Sequence, residues 1–311
     1  MAALHVITRR GNKLELISLK KSYYQKNSEI EVLKSINLKI NFGSIVGLIG
    51  DNGAGKTTLI KCICNVVHLN SGKVCLNGKQ MTESDIRKNI GVLLEGARNL
   101  YHFLTINENI NYFGYLNHMD DRDIEKKRQE LLTLFDLSKY QNTTVNELSL
   151  GMQQKVAIMI LMMKDPKILI LDEPTFGLDL VSTMKMKRIL SNIINDTEKI
   201  IIIISHDMSL ISSLCNRLIL LQHGAIEYDG EMDDIISNDE YIIKLEETSE
   251  LKKKIVDDGI KYELDDGIYT IISNNFAQVR YLIENGKALS IEKKEVTLEK
   301  FLERRLKLND K

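Results

Sequence analysis

The sequence predicts an α/β fold in which buried parallel strands alternate with helices, followed by a smaller α+β ferredoxin-like domain. Three apolar runs, residues 45–49, 168–171 and 200–204, support the first part, because strands buried on both faces of a parallel sheet have continuous apolar sequences. The second part rests on a change past Gly230, where the predicted order is β-α-β-β-α-β. We therefore predict two domains, with bounds at 12–235 and 236–311.

Length and composition are those of an ordinary globular protein. The 311 residues suffice for one large and one small domain, and 42 basic against 43 acidic residues give no overall preference for nucleic acid. Apolar runs stop far short of the ~18 residues that a membrane span needs, and no secretion signal is recognisable. The four cysteines lack metal-ligand spacing, which favours reduced thiols and a cytosolic location.

Two strand-like segments, residues 14–24 and 36–40, precede the first buried strand. Tyr23 and Tyr24 lie at the end of the earlier segment. An aromatic ring there can stack on an adenine base or simply close a strand edge, and the residues alone leave both interpretations open.

The strongest motif follows the strand at 45–49. Residues 50–58 read GDNGAGKTT and fit the phosphate-binding pattern G-x-x-x-x-G-K-[ST] between a strand and a helix. Glycines let backbone N–H groups surround an anion, and the helix N-terminus adds partial positive charge. A glycine-rich turn that binds nothing is the alternative, but eight matching positions favour a nucleoside triphosphate. The predicted nucleotide-binding residues are Asn52, Gly53, Ala54, Gly55, Lys56, Thr57 and Thr58.

The chain then alternates between strands and helices. A helix is predicted at about 56–68 and a buried strand at 90–94, which ends at Glu95. Polar helical patterns at 105–147 predict a helical subdomain beside the core, at about residues 97–165. The segment LSLGMQQ, residues 148–154, opens the next apolar helix, which Pro166 ends.

Polar residues follow three of the predicted parallel strands. Because the carboxyl ends of such strands meet at one edge of the sheet, Lys56, Asp172 and His206 are expected to converge there. Asp172 would hold Mg²⁺ together with the Thr57 hydroxyl, and Glu173 would deprotonate an attacking water. A lone histidine is usually structural, but His206 in this company can hydrogen-bond the outer phosphate or the water. The sequence thus predicts phosphoryl transfer to water.

Several separate motifs follow one another along the chain in this order: GDNGAGKTT, LSLGMQQ, ILILDEP, GLD and the loop of His206. In this respect residues 12–230 resemble the ATP-binding subunits of ABC transporters, which implies a P-loop NTPase of the ABC type that uses ATP and Mg²⁺. The resemblance implies that Ser149 and Gly151 form a signature loop contacting the outer phosphate of the opposite subunit in a head-to-tail homodimer. It also implies that Asp179 lies where the subunits communicate, and that Tyr23 stacks on adenine.

The chain departs from the family pattern in two motifs. The usual LSGGQ is LSLGM here, with Leu150 and Met152 in place of glycine and glutamine, while Ser149 and Gly151 are retained. The strand-end glutamine that faces Mg²⁺ and the membrane partner is Glu95 in this chain. Our hypothesis is that Glu95 still holds Mg²⁺ or water and preserves coupling, but alters the hydrolysis rate by adding negative charge.

The leading functional interpretation is an ATPase subunit that drives a separate integral membrane permease from the inner face of the cell membrane. The C-terminal domain resembles the tail of exporter ATPases for antibiotics and peptides, which favours export; a regulatory, dimer-stabilising or passive role for it stays open. The alternative is a soluble ABC ATPase acting on ribosomes, DNA or cluster assembly. A single cassette without a long coiled-coil insert or basic stripe favours the transporter, and no nucleic-acid partner is expected.

Overall fold

The fold is taken from a computed structural model of the chain. The residues it describes are 12–25, 28–94, 100–195, 199–236, 240–248, 251–252, 255, 260–273, 276–294 and 297–309. The chain divides into two compact units, Met1–Gly230 and Glu231–Lys311.

The first unit alternates strands and helices, as predicted. Its elements in chain order are β1 (Lys13–Gln25), β2 (Ser28–Asn41), β3 (Ile45–Ile49), α1 (Lys56–Ile63), β4 (Ser71–Leu76), β5 (Lys79–Gln80), α2 (Glu83–Asn89), β6 (Ile90–Leu93), α3 (Ile106–Leu116), α4 (Asp121–Leu134), α5 (Leu150–Met162), β7 (Ile168–Asp172), α6 (Leu180–Asn195), β8 (Ile200–Ile204), α7 (Met208–Leu214), β9 (Arg217–Gln222) and β10 (Ala225–Glu231).

A six-stranded sheet with the order β10-β9-β3-β8-β7-β6 forms the centre of this unit. The pairings of β3 with β8 and β9, and of β7 with β6 and β8, are all parallel. Every residue of β7 and β8 is buried, in keeping with their continuous apolar sequences. The α/β prediction is therefore confirmed, and the carboxyl ends of β3, β7 and β8 lie side by side.

A second sheet, with the order β2-β1-β4-β5, is antiparallel. One hydrophobic core joins Leu14 and Leu16 of this sheet to Leu59 of α1 and Ile202 of β8. Helix α1 is thereby fixed between the two sheets, and with it the loop that precedes it.

Helix α1 is shorter than predicted, because it ends at Ile63 and not near residue 68. The next residues leave the helix: Asn65 adopts a left-handed backbone with φ 54°, and its N–H donates to the carbonyl of Cys62. Asparagine tolerates this conformation better than most residues, so the helix can end here. The apolar pattern of the sequence continues beyond this end, which is why the predicted helix is too long.

Helices α3, α4 and α5 follow β6, within the range predicted for a helical subdomain. Thr105 and Glu108 form a reciprocal capping box at the start of α3, and Asp120 caps α4. Ser149 caps α5 through its hydroxyl, which accepts from the N–H of Met152 at 3.4 Å. These caps explain why each helix begins where it does.

The second unit contains α8 (Met232–Ile236), β11 (Glu240–Glu246), β12 (Tyr262–Asp265), β13 (Ile268–Ser273), α9 (Phe276–Asn285), β14 (Ala288–Lys294) and α10 (Leu298–Asn309). Its antiparallel sheet has the order β12-β13-β11-β14 and encloses a core with Ile243, Tyr269 and Leu282. Most of the helix predicted at 250–256 lies outside the described residues, so the ferredoxin-like assignment stays a prediction. Among the described residues, no helix has the length and apolarity to cross a bilayer.

Candidate nucleotide and catalytic site

The loop between β3 and α1 closes tightly because glycine is required at its start. Gly50 has φ 154°, and a Cβ there would lie only 2.0 Å from the carbonyl oxygen of Leu221 in β9. Gly55, with φ 106°, precedes α1 and supplies no side-chain cap, so the first N–H groups of the helix can turn to an external anion. The loop geometry is thus that of a phosphate cradle.

The Lys56 ammonium group lies inside this loop. Its Nζ donates to the carbonyl oxygens of Gly50 at 2.6 Å and Asp51 at 3.0 Å. Burial lowers the pKa of Lys56, while the carboxylates of Asp172, Asp51 and Glu173 oppose that shift. A partly desolvated cation is thereby held inside the loop, where it can reach a bound phosphate.

A cavity of about 560 Å³ opens above the loop. Three of the predicted strand-end groups, those of Lys56, Asp172 and His206, reach its wall together. The lining residues are Val32, Asp51, Asn52, Gly53, Gly55, Lys56, Thr57, Thr58, Asp172, Glu173, Phe176, Ile204 and His206. Of the predicted nucleotide-binding residues of the loop, Ala54 alone is absent from this lining, because it is buried beneath it.

The carboxylate of Glu173 is held by the residues that follow β8. Glu173 has a left-handed backbone, φ 48°, and its N–H donates to the carbonyl of Ile204 at 2.8 Å. Its Oε2 accepts from the Ser205 hydroxyl and its Oε1 from the N–H of His206, both at 2.9 Å. The His206 ring lies close by, with Nε2 3.8 Å from Oε1. The arrangement fixes one carboxylate at the cavity wall.

Asp172 ends β7 opposite Ile204 and is only 8% exposed. The Thr57 hydroxyl belongs to the same cavity wall. Among the described residues no cluster of three His, Cys, Asp or Glu side chains could hold a metal unaided. A single carboxylate and a hydroxyl nevertheless suit Mg²⁺, which keeps several waters and takes further ligands from substrate phosphates. The residues present therefore fit a magnesium–nucleotide complex.

The structure does not bring the remaining predicted residues into the described cavity. Ser149, Gly151 and Asp179 are not among the described residues that line the cavity, and Glu95 lies outside the described residues. A Cβ on Gly151 would come within 3.2 Å of Ser182, so α5 and α6 begin in close contact. Asp179 accepts from the N–H and hydroxyl of Ser182 at 2.9 and 2.8 Å, and these bonds lower its pKa.

The aromatic ring at the cavity is Phe176, which is 64% exposed. Tyr23 is 39% exposed, does not belong to the described lining, and has the ammonium group of Lys21 5.0 Å from its ring centroid. The adenine-stacking role of Tyr23 stays a prediction.

Phe176 and Ser205 are two residues of the site that the sequence motifs do not single out. Phe176 is the second residue after the DEP motif, and Ser205 is a hydroxyl residue immediately after a buried strand, a position from which its role could have been inferred.

Replacing Ser205 with alanine is expected to lower kcat about three- to tenfold, because one hydrogen bond to the Glu173 carboxylate is lost. The KM for ATP should stay nearly constant, since the phosphate loop is untouched. Steady-state ATPase assays check this, with Ser213→Ala on the exposed side of α7 as the matched control. Equal rates for both variants would show that Glu173 does not need Ser205.

The fold and the site together define a nucleoside triphosphatase of the P-loop class. A strand–glycine loop–helix unit holds a lysine, the end of β7 in the same parallel sheet supplies the carboxylates of Asp172 and Glu173, and the end of β8 supplies His206 to the same cavity.

The comparisons specify the class further. A family model described as ABC transporter matches residues 33–176. NatA, an ABC transporter ATP-binding protein of Bacillus subtilis strain 168, is 30% identical over 228 residues, 73% of this chain and 92% of that protein. The methionine import ATP-binding protein MetN of Vibrio cholerae is 34% identical over 231 residues, 72% of this chain and 67% of that protein.

Solved structures give the same result. The ATP-binding cassette MJ0796, in a dimeric post-hydrolysis state with ADP and Pi, has a TM-score of 0.61 and 27% identity, and the match covers 70% of this chain and 98% of that one. CbiO1 of Clostridium perfringens has a TM-score of 0.65 over 88% of this chain and 99% of that one; at 21% identity, this likeness concerns the fold alone.

The chain therefore belongs to the ABC transporter ATP-binding family. It is an ATP-binding subunit with the ATPase activity of that family, and the family resemblance predicted from its motifs is confirmed.

Proposed function

We propose that this subunit hydrolyses ATP as one half of a head-to-tail homodimer and so drives a separate integral membrane permease that exports a small molecule, drug or peptide. The observation that carries the proposal is the cavity in which Lys56, Thr57, Asp172, Glu173 and His206 meet. In this proposal the subunit is cytoplasmic and works peripherally at the inner face of the cell membrane.

Each side chain of the cavity has a distinct role in the proposed reaction. Backbone N–H groups of the loop and the Lys56 ammonium bind the phosphates, while Thr57 and Asp172 hold Mg²⁺, which neutralises phosphate charge. Glu173 orients a water and takes its proton, because its carboxylate is held at the wall by Ser205 and the N–H of His206. The His206 ring donates to the outer phosphate as negative charge develops.

The homodimer is proposed because the predicted signature loop does not line the cavity of its own chain. Ser149 and Gly151 do not line their own chain's described cavity, although they lie at the exposed or half-buried start of α5. A group of exposed apolar residues lies in the same part of the sequence as this helix start and Asp179: Leu150, Phe176, Leu180, Val181 and Met184. A second copy would cover such a surface and receive the signature loop at its phosphates.

A groove of about 1040 Å³ between α2, α4 and the ends of α3 and α5 suits the permease. Its cationic side chains, which outnumber its carboxylates, are Arg87, Lys88, Lys126, Lys127 and Lys164. Of its carboxylates Asp123, Glu130 and Asp165, the last two pair with lysines. Lys88 and Lys126 are exposed, and neither forms an ion pair within the described part of the chain. Exposed Leu116 adds an apolar contact, so an acidic, partly apolar segment is the complementary partner.

Export is inferred from the C-terminal unit, whose element order resembles the tails of exporter ATPases. Curated relatives include proteins named for methionine import, so the direction needs its own measurement. Transport of candidate solutes into inside-out membrane vesicles, dependent on ATP, is the expected result for an exporter.

Purification of the tagged subunit from detergent-solubilised membranes tests the proposal. We expect a polytopic membrane protein in near-equal amount, identified by mass spectrometry. The variant Lys88→Glu/Lys126→Glu should recover it at about a tenth of that amount or less, because charge reversal opposes an acidic partner. The control Lys20→Glu/Lys73→Glu reverses two exposed lysines of the antiparallel sheet and should recover it normally.

Two results would contradict parts of this proposal. Recovery of the wild-type subunit alone, or with ribosomes, would favour the soluble class of ABC ATPase. Normal recovery of the permease by the groove variant would place the docking surface elsewhere while leaving the transporter function intact.

A further inference from the structure

Lys187 joins helix α6 to the segment that follows His206. Its Nζ donates to the Ser209 hydroxyl at 2.7 Å and lies 3.8 Å from Oδ2 of Asp207. The lysine side chain is 24% exposed, so this contact is only partly screened by water. Neither the sequence motifs nor the cavity lining includes Lys187, and the proposed chemistry does not use it.

The contact continues directly to the proposed general base. The N–H of Asp207 donates to the Ser205 hydroxyl at 3.1 Å, and that hydroxyl donates to Glu173 at 2.9 Å. Asp207 also caps α7, since its Oδ1 accepts from the N–H of Leu210 at 3.1 Å. A displacement of Asp207 therefore changes the donor that orients the Glu173 carboxylate.

The N-terminus of α6 lies at the loop proposed to face the second copy. Asp179 caps this helix through Ser182, and Ser182 packs against Gly151 of the signature loop. Lys187 lies between five and eight positions further along α6, so about two turns of helix separate it from that loop. An α-helix of this length moves as one body, which makes it a mechanical link between the two places.

We propose that Lys187 is a positioning residue for hydrolysis: through Asp207 and Ser209 it sets the place of Ser205, and thereby of Glu173, according to the position of α6. A signature loop or second copy that shifts the start of α6 would thus change the geometry at the base. The inference rests on the proposed role of Glu173, and it adds a residue that does not belong to the described lining of the nucleotide cavity.

The alternative is that Lys187 only fastens α6 to α7, in which case its loss lowers stability and not turnover. The two roles differ in kinetics. A positioning residue changes kcat with little change in the KM for ATP, because the phosphate loop is not involved. It also changes the cooperativity of turnover with ATP concentration, which a fastening role does not predict.

The test compares Lys187→Met, Lys187→Arg and Lys185→Met in the full-length protein. Lys187→Met should lower kcat about tenfold, keep KM within about twofold and reduce the Hill coefficient for ATP. Lys187→Arg keeps a donor and a charge and should retain at least about half of the wild-type kcat. Lys185 is an exposed lysine on the same helix, and Lys185→Met should behave as wild type.

A second variant shows whether the effect on turnover depends on misfolding of the first. Asp207→Asn removes the carboxylate from the other side of the contact and should lower kcat by a similar factor. Combined with Lys187→Met it should add little, because residues that act as a unit are non-additive. A thermal midpoint measured for each variant separates lost stability from lost turnover.

The outcomes distinguish this inference from the proposed function. An unchanged kcat in Lys187→Met, an equal loss in Lys187→Arg, or fully additive effects with Asp207→Asn would overturn the positioning role. Wild-type turnover in Glu173→Gln would instead overturn the proposed base, whatever Lys187 does.

Discussion

Replacing Glu173 with glutamine is expected to reduce ATP turnover about a hundredfold or more while ATP binding stays intact. The amide is nearly the same size as the carboxylate, and its oxygen can still accept from Ser205 or from the N–H of His206. It cannot take a proton from water, so only the chemical step is lost. The phosphate loop and Lys56 are unchanged.

The same variant should accumulate an ATP-bound dimer, because hydrolysis is the step that would release it. Size-exclusion chromatography with ATP and Mg²⁺ should show a dimer for Glu173→Gln and mostly monomer for the wild type. Glu83→Gln, at an exposed position on α2, is the matched control and should hydrolyse ATP normally. Normal hydrolysis by Glu173→Gln would mean that another group, with Asp172 as the first candidate, is the base.

The buried parallel strands could be predicted from the sequence because burial on both faces leaves a plain signal. The runs at 45–49 and 200–204 match β3 and β8 residue for residue, and the run at 168–171 lies within β7. Local chemistry sets these bounds: Gly50 must break the strand, and Asp179 caps the helix that follows it.

The partners of each strand could not be predicted in the same way. Strand β1 pairs with β2 and also with β4, and nearly fifty residues separate β1 from β4 in the sequence. The periodicity of the sequence does not predict which strands pair in this sheet. Long-range packing decides such pairings, and it also brings Val32 of β2 to the nucleotide cavity. The motifs therefore identified the phosphate loop and the strand ends, but not the wall opposite them.

The orientation of Glu173 is a further property that only the structure reveals. A left-handed backbone is uncommon for glutamate, and the DEP motif by itself does not predict it. It places the side chain against Ser205 and His206, two residues of the neighbouring strand end. The sequence predicts Glu173 as the base, and the parallel pairing of β7 and β8 determines which residues hold its carboxylate.

Lys56→Ala is expected to weaken ATP binding about ten- to a hundredfold, since a hydrogen bond from a charged donor contributes about 1.5–3 kcal/mol. The ammonium donates to the carbonyls of Gly50 and Asp51, which hold it inside the loop. Titration calorimetry measures the affinity, with Lys61→Ala on the same helix as control. Binding unchanged within about twofold would contradict the phosphate-loop assignment.

The pH dependence of binding offers an independent check on the same residue. Burial lowers the pKa of Lys56 from its ordinary value of 10.5, so the group loses its charge at a lower pH than an exposed lysine does. ATP affinity should consequently fall as the pH rises through that lowered pKa. Lys56→Arg keeps its charge throughout this range, and its affinity should vary little with pH. A parallel decline in both proteins would trace the effect to another group, because only lysine can release the proton.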